Sequence, residues 1–477
     1  MGKGRPFQLP CQPAGGGMNA RWSRFSLSMR LEAVFSRNME GVLTILGAGG
    51  DLMCGKLLPA LWRLHRQGLR IQVIGIDRFE DGGDALDSLV ARSVARGALP
   101  RAAAESIDFR RQFEFLAGDL REENIYREMA KHLSGRDRCF YCAVPSTLFG
   151  KIVRNLTREG LHREGKGEQA RIVFEKPFGE SQDSALQLFN SLQSFAPHQR
   201  AFAEHYMAKG VPRALINFRQ QKANALLEGL LNAGHVTRVD VFSDESGGVG
   251  TRGPFFDQCG TLRDMGQHVL HLLALATMDL PATAHDTGRQ KKNLLDRVKL
   301  SRTKSVRGQY EGYHEESGVA AASATETFFA ARLFVDNARW QDVPMVARSG
   351  KSLPQKAAGI IYHFDGKDGI DLCEIRIQPE ERMTFRITEG ADASLVSRYL
   401  EIESSFNRSF EVQSPEAYEP ILRMSMGESL DLFVEEGEIL ASWRILDAVR
   451  EAWMNVPGLH PLHRYAVGTA VSEISDL

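Results

Sequence analysis

Residues 42–52 read VLTILGAGGDL, and this stretch decides the fold. VLTIL is an apolar run of strand length, Gly47, Gly49 and Gly50 follow at once, and Leu57, Leu58, Leu61 and Leu64 then recur at helical spacing. A strand, a glycine turn and a helix in that order let the backbone approach a pyrophosphate, whose charge meets peptide N–H groups and the positive end of the helix. Leu52 stands where GxGxxG would place its last glycine, so a plain turn between two ordinary elements is the competing reading. Pro59 lacks an N–H and is expected to kink the helix.

Further along, IQVIGI (71–76), FEFLAGD (113–119), RCFYCAV (138–144) and RIVFE (171–175) predict buried strands. A helix is expected over 148–161, and another carries Ala185, Leu188, Phe189 and Leu192 on one face behind Ser181 as its N-cap. This alternation predicts a doubly wound parallel sheet, an α/β dinucleotide-binding domain over 41–203. Ligands of such sheets lie beyond the carboxyl ends of the strands. Asp77 and Arg78 end the second strand, where a dinucleotide's adenosine ribose lies. Asp77 would accept from ribose hydroxyls and favour NAD, Arg78 would pair with a 2'-phosphate and favour NADP, and the two stay open. Lys176, in EKPFG (175–179), ends another strand within reach of cofactor and substrate; a lysine capping a strand in solvent is the plainer alternative.

From residue 204 the pattern changes. AEHYMAK (203–209) packs Glu204, His205, Tyr206 and Lys209 together, and His, Tyr and Lys can jointly meet a phosphate dianion, although a wet amphipathic segment looks the same. Strands are expected at 238–242, 328–335, 359–364, 372–377 and 383–387 with few helices after 328, which predicts an α+β domain over 204–477 with a mainly antiparallel sheet packed on helices. Arg348, Lys351 and Lys356 near a strand start read by default as a solvated basic loop, and 282–307 as a surface helix and loop. Helices are expected at 417–426 and 438–454. In GTLRDMGQHVLHLLAL (260–275), read as a helix, Asp264 and His268 stand four apart on one face above Leu262, Met265, Val269, Leu272 and Leu273. A carboxylate beside an imidazole suits proton transfer; a surface Asp/His pair is the plain alternative.

At 477 residues and 43% hydrophobic content the chain can bury the cores of two or three domains. Fifty-nine basic residues against 60 acidic ones leave a net charge of −1, so neither nucleic acid nor a membrane surface is expected as a partner. The six cysteines, Cys11, Cys54, Cys139, Cys142, Cys259 and Cys373, are scattered, which suits reduced thiols and a cytoplasmic location. Cys139 and Cys142 lie in an apolar strand-like run and are expected in the core; no His/Cys set has metal-ligand spacing, so no metal is expected. No apolar run reaches 18 residues, so no transmembrane helix is expected. Residues 1–40 read as a disordered extension, with a transit peptide or a start assigned upstream of Met18, Met29 or Met39 as alternatives.

The blocks GAGGDLMCGKLLPALWRL, RCFYCAVPSTLFGKIVRNL, RIVFEKPFG, EHYMAK, FFDQCGTLRDMGQH, VRGQYEGYHEESGV, TETFFAARLFVDNARW, VPMVARSGKSLP and SWRILDAV follow one another as in the glucose-6-phosphate dehydrogenase family, which the chain resembles from about residue 42 onward. The resemblance implies a Rossmann domain joined to a β+α domain and oxidation of glucose 6-phosphate at C1 to 6-phospho-D-glucono-1,5-lactone, the entry to the pentose phosphate pathway. It also implies NADP or NAD as acceptor, no metal, and a homodimer or homotetramer built through the large sheet. By resemblance Gly47, Gly49, Gly50, Asp51, Leu52, Asp77, Arg78, Pro145 and Lys176 meet the cofactor. His205, Tyr206, Lys209 and Lys356 surround the sugar phosphate, Glu245, Asp264 and Lys351 hold sugar hydroxyls, and Lys176 touches the sugar. His268 is the general base, and Glu204 takes the place of the aspartate that orients it.

The chain departs from that pattern in three places. The family's RIDHYLGK reads FAEHYMAK here, with the carboxylate one methylene longer. RDMGQH puts the histidine four residues after Asp264 where the family has five, a rotation of about 100 degrees on an ideal helix. An ungapped alignment instead puts Val269 at the base's place, and DMGQH also resembles the DxGxH helix of the glucose-fructose oxidoreductase type, where four is normal. Third, Asp77 precedes Arg78 where NADP-preferring members carry a small residue. A dehydrogenase of another hexose phosphate and a catalytically silent cofactor-binding relative are the alternatives.

Overall fold

In the computed structural model, residues 41–79, 85–209, 212, 215–216, 219–220, 222–283, 286–367, 369–388, 399–405, 417–427 and 433–477 are described. The expectation for residues 1–40 lies outside them. Six parallel strands, β1 (Val42–Leu46), β2 (Gln72–Asp77), β3 (Phe113–Ala117), β4 (Arg138–Cys142), β5 (Ala170–Glu175) and β6 (Arg200–Ala203), form one sheet in the order β3-β2-β1-β4-β5-β6. β1 is buried along its whole length because both faces are covered. Leu43 and Ile45 face one core with Leu58, Leu61 and Trp62, whereas Val42 and Leu46 face another with Phe149, Ile152 and Val153. Cys139 and Cys142, three apart on β4, therefore fall into different cores and pack as small apolar groups, as expected.

The glycine turn opens not into a kinked helix but into a widened turn, Met53–Leu57, in which the Leu58 N–H reaches back five residues to the Met53 carbonyl. The regular helix Leu58–Arg66 continues from this widened turn, with Pro59 at the join between the two. Ser181 caps the helix Gln182–Ser191 as expected, accepting from the Ser184 N–H.

The second sheet has nine strands: β7 (Val236–Asp244), β8 (Val298–Tyr310), β9 (Phe328–Val335), β10 (Met345–Gly350), β11 (Ala357–Phe364), β12 (Ile370–Gln378), β13 (Arg382–Thr388), β14 (Tyr399–Ser405) and β15 (Leu462–Tyr465). Their order is β14-β13-β12-β11-β7-β10-β9-β8-β15, antiparallel except for the parallel pairs β7/β10 and β8/β15. One face packs on the helices Gly253–Thr277 and Glu436–Asn455, as Val239, Val241, Met345 and Ile360 share a core with Leu272, Leu273, Ile445 and Leu446. Architecture and class agree with the sequence reading.

Several local expectations fail. Of the helix and loop expected over 282–307 the helix is there, Thr287–Asp296, with Lys291 buried against Glu438 at 2.7 Å, but β8 follows it in place of a loop. Arg348 and Lys351 are not a solvated loop at a strand start, since Arg348 lies in β10 and pairs with Asp244 at 2.9 Å, and Lys351 follows the strand's end and pairs with Glu245. The segment 203–209 is the end of β6 followed by a tight turn, not an amphipathic element. The helix Tyr418–Ser425 returns to the cofactor half, where Ile421 and Leu422 pack with Leu58 and Trp62 and the Arg171 guanidinium donates to the carbonyls that end it.

Candidate active site

Parallel pairing brings the chemistry to one edge. β5 and β6 are in register with Glu175 opposite Ala203, so the next residue on each, Lys176 and Glu204, leave the sheet side by side, with Lys176 Nζ 3.9 Å from Glu204 Oε2. The second sheet repeats the device: β7 and β10 pair with Asp244 opposite Gly350, and the next residues, Glu245 and Lys351, form an ion pair.

The helix Gly253–Thr277 is not one rod. Gly260 has φ 66 and ψ 174, and a Cβ there would lie 2.3 Å from Glu326 Oε1. After this break the helix restarts, with the Thr261 and Leu262 N–H groups donating to the carbonyl and side chain of Glu326 at 3.0 and 3.1 Å. His268, 5% exposed, faces Lys176 and Glu204. Its Nδ1 is 2.5 Å from Glu204 Oε1 and its Nε2 is 3.2 Å from Lys176 Nζ. Tyr206 and His205 flank the ring, with centroids 4.5 and 4.9 Å away. Val269, the ungapped candidate, is buried in the apolar core.

The carboxylate next to the imidazole is thus Glu204, not Asp264. Asp264 pairs with Arg252 at 3.0 Å, a partner that no spacing in the sequence announced, and its backbone carbonyl lies 3.5 Å from Lys176 Nζ. Burial pushes the Glu204 carboxyl up, but His268 and Lys176 outweigh it and hold the group well below the usual carboxylate range. Burial pushes Lys176 down against the pull of Glu204 and Asp264, and pushes His268 down against Glu204. An ionised Glu204 can only accept, so His268 Nδ1 carries the proton and Nε2 keeps its lone pair. Glu204, His205 and His268 could each offer one ligand atom to a cation, all within 4.8 Å of one another, but the Lys176 ammonium beside Nε2 opposes a second positive charge there.

Tyr206 donates or accepts with Ser243 at 2.9 Å, and Gln378, missed in the sequence reading, bridges Tyr206 and Lys209 at 3.2 and 3.1 Å. Lys209 sits over the Tyr206 ring, 4.0 Å from its centroid. Burial and then the neighbouring charge of Lys356, which is exposed, push Lys209 down to about 8. Burial likewise pushes the half-buried His205 down to about 3.

At the carboxyl ends of β1, β2 and β4 the glycine turn fits a pyrophosphate. Gly47 has φ 92, and a Cβ there would come within 2.6 Å of the Ala143 carbonyl, so only glycine lets this turn lie against β4. Beside Gly50 a Cβ would meet only the Gly47 carbonyl, at 3.3 Å, which leaves the backbone open to a ligand. Leu52 is half-buried in the turn, and Pro145 is exposed just past β4. Asp51 is exposed and pairs with Arg96 at 2.7 Å and Arg92 at 3.3 Å. Asp77 braces the glycine turn: Oδ2 accepts from the Gly49 N–H at 2.8 Å and Oδ1 from the Arg78 N–H at 2.7 Å. The Arg78 side chain is exposed.

Known proteins match along the same lines. Residues 44–212 match the family model described as glucose-6-phosphate dehydrogenase, NAD binding domain, and residues 218–476 the one described as glucose-6-phosphate dehydrogenase, C-terminal domain. The glucose-6-phosphate 1-dehydrogenase of Treponema pallidum is 30% identical over 91% of this chain and 92% of its own length. The crystal structure of glucose-6-phosphate 1-dehydrogenase from Mycobacterium avium superposes with a TM-score of 0.77 at 29% identity, covering 90% of this chain and 94% of that one. A glucose-6-phosphate dehydrogenase in complex with its substrate glucose-6-phosphate superposes with a TM-score of 0.80 at 26% identity, covering 90% and 95%. With two sheets in this arrangement, a glycine turn at the edge of one and an imidazole between Lys176 and Glu204, the chain belongs to the glucose-6-phosphate dehydrogenase family.

Proposed function

We propose that this protein oxidises D-glucose 6-phosphate at C1 to 6-phospho-D-glucono-1,5-lactone with NADP as hydride acceptor, at the entry to the pentose phosphate pathway. The observation that carries the reading is His268, buried and neutral, with Nδ1 tied to an ionised Glu204 and Nε2 turned to Lys176. In this reading the C1 hydroxyl gives its proton to Nε2 as the C1–H bond yields its electron pair, and C1–O becomes the lactone carbonyl. The bound nicotinamide supplies the acceptor for that hydride. Glu204 stabilises the imidazolium that forms, and Lys176 the negative charge that gathers on the C1 oxygen. His205, Tyr206, Lys209 and Lys356 take the phosphate, whose dianion relieves the repulsion between the two lysines. Glu245, Asp264 and Lys351 take the ring hydroxyls. The silent alternative needs an imidazole aimed away from these groups, which the distances disfavour.

In this reading the exposed Arg78 at the end of β2 pairs with a 2'-phosphate and favours NADP, while the Asp77 carboxylate is drawn to the Gly49 and Arg78 N–H groups. We place the dinucleotide-binding domain at 41–203 and the substrate domain at 204–477, and the enzyme in the cytoplasm as a homodimer or homotetramer joined through the outer face of the large sheet. Along β12 Cys373, Ile375 and Ile377 turn to the helices, which leaves Leu372, Glu374 and Arg376, with Ile361 on the neighbouring β11, half-buried on the other side. The test is direct: glucose 6-phosphate with NADP or with NAD, followed by reduced-nicotinamide absorbance. Turnover with NADP is expected, and cofactor binding without turnover rejects the reading.

A further inference from the structure

We propose that His271 is a positioning residue that grips the second oxygen of Glu204, so that two imidazoles of one helix hold the carboxylate between them. The inference rests on the reading of His268 as base and concerns what keeps its partner in place. His268 and His271 stand three apart and share a side of the helix. His271 is 1% exposed, and among the described residues neither of its ring nitrogens has a hydrogen-bond partner. Glu204 Oε2 is equally buried and equally without one, and it lies 3.9 Å from His271 Nδ1. A donor and an acceptor, both desolvated and without a hydrogen bond, face each other across a gap that a small side-chain rotation closes, Lys176 offering Oε2 only a charge at 3.9 Å, and burial makes leaving them apart costly.

The groups that face His271 agree with that role. Glu204 comes from the end of β6, Lys176 from the end of β5, Lys291 from the helix Thr287–Asp296 with its own partner Glu438, and His268 from one turn earlier. Burial first, then the two lysines and His268, push His271 down to about 3, so the ring is neutral and owns one N–H to give. Glu204 has three bonds between its backbone and its carboxylate plane that can turn. Oε1 accepts from His268 and from the Tyr206 N–H, whereas Oε2 has only the Lys176 ammonium, at 3.9 Å, so the plane can swing; with Oε2 held by His271 as well, Oε1 stays on the line of His268 Nδ1.

The test uses the full chain with His271→Leu, which has no N–H, and His271→Gln, which keeps one. Steady-state rates are taken against pH, and the His268 imidazole is titrated by NMR in the free protein. For His271→Leu we expect kcat to fall about tenfold with KM for glucose 6-phosphate within about twofold. The His268 titration and the acid limb of kcat/KM should move to lower pH, because a loosened Glu204 supports the imidazolium less. His271→Gln should recover at least half of both effects. A His271→Leu protein with wild-type kcat, an unchanged or raised His268 titration, or a His271→Gln protein no better than His271→Leu overturns the proposal. If His271→Leu does not fold, His271→Met replaces it and is judged by the same outcomes. Absence of glucose 6-phosphate turnover in the wild type would reject the proposed reaction, while the His268 titration would still decide the role of His271.

Discussion

At His268 two influences oppose one another: burial favours the neutral ring, the Glu204 carboxylate favours the charged one, and burial is the larger. The base must be neutral to accept a proton, so kcat/KM is expected to rise with pH through the His268 pKa and level off above it, with the acid limb below the ordinary histidine value of about 6.5. Glu204→Gln removes the influence that raises this pKa. It should move the limb further down and cost roughly tenfold to hundredfold in kcat; a limb that stays in place would separate Glu204 from the base. His268→Asn should lower kcat by about a hundredfold or more with little change in KM, whereas Lys356→Ala should mainly raise KM for the sugar phosphate, and a fully active His268→Asn protein would reject the base assignment. On the cofactor side, Arg78→Ala is expected to raise KM for NADP about tenfold and leave KM for NAD nearly unchanged, which parallel assays with the two nucleotides would reveal. The residue types were legible in the sequence, since Lys176 and His205 stand where the family motifs put them, Glu204 keeps a carboxylate in the place of an aspartate, and His268 lies one residue short of the family's spacing. Spacing alone misled on their pairings: it joined His268 to Asp264, but Asp264 belongs to Arg252, and His268 meets Glu204, 64 positions away, as only the family resemblance implied.

The helix that bears His268 owes its aim to its interruption. Gly260 occupies a backbone region that costs a side-chain-bearing residue about 1–3 kcal/mol, and a Cβ would strike Glu326 as well. Gly260→Ala should therefore lower stability by at least that amount and reduce kcat with it, as thermal melts and rates would both register. Burial pushes the Glu326 carboxyl up to about 7. Between the unfolded value near 4.5 and about 7, the folded state keeps a proton that the unfolded chain has lost, so this group costs stability as pH rises through that window and no more above it. Replacing it by Gln removes the cost; the stability of Glu326→Gln relative to wild type should improve from pH 4.5 to 7 in denaturant melts, and a flat difference would contradict the assigned shift. Elements with an uninterrupted apolar pattern, such as 42–46 and 328–335, were read correctly. β8 was not, because Ser301, Thr303 and Lys304 fall where its pairing with β9 slips, and β10 was not, because six residues ending in Arg348, Ser349 and Gly350 look like a loop until β7 and β9 enclose them.

On the scale of the whole molecule, the reaction centre is where the carboxyl edges of two sheets meet a helix that packs on the larger one. The unused face of that sheet is the surface proposed to join copies of the chain. Light scattering should accordingly give about two or four times the chain mass of 53.1 kDa, and a monomer would reject this assignment. By itself the sequence determined the glycine turn, the doubly wound sheet, the antiparallel half, the family and most of the side chains proposed to meet the ligands, because each is written in local spacing or in the order of motifs. Tertiary structure alone decided that Asp264 pairs with Arg252, that Asp77 braces the glycine turn, that Lys291 is buried against Glu438, and that the helix Tyr418–Ser425 returns to the cofactor half. The reason is physical: spacing along a chain sets which side chains share a face within one element, whereas contacts between elements depend on strand register and helix packing, which form only when distant segments meet.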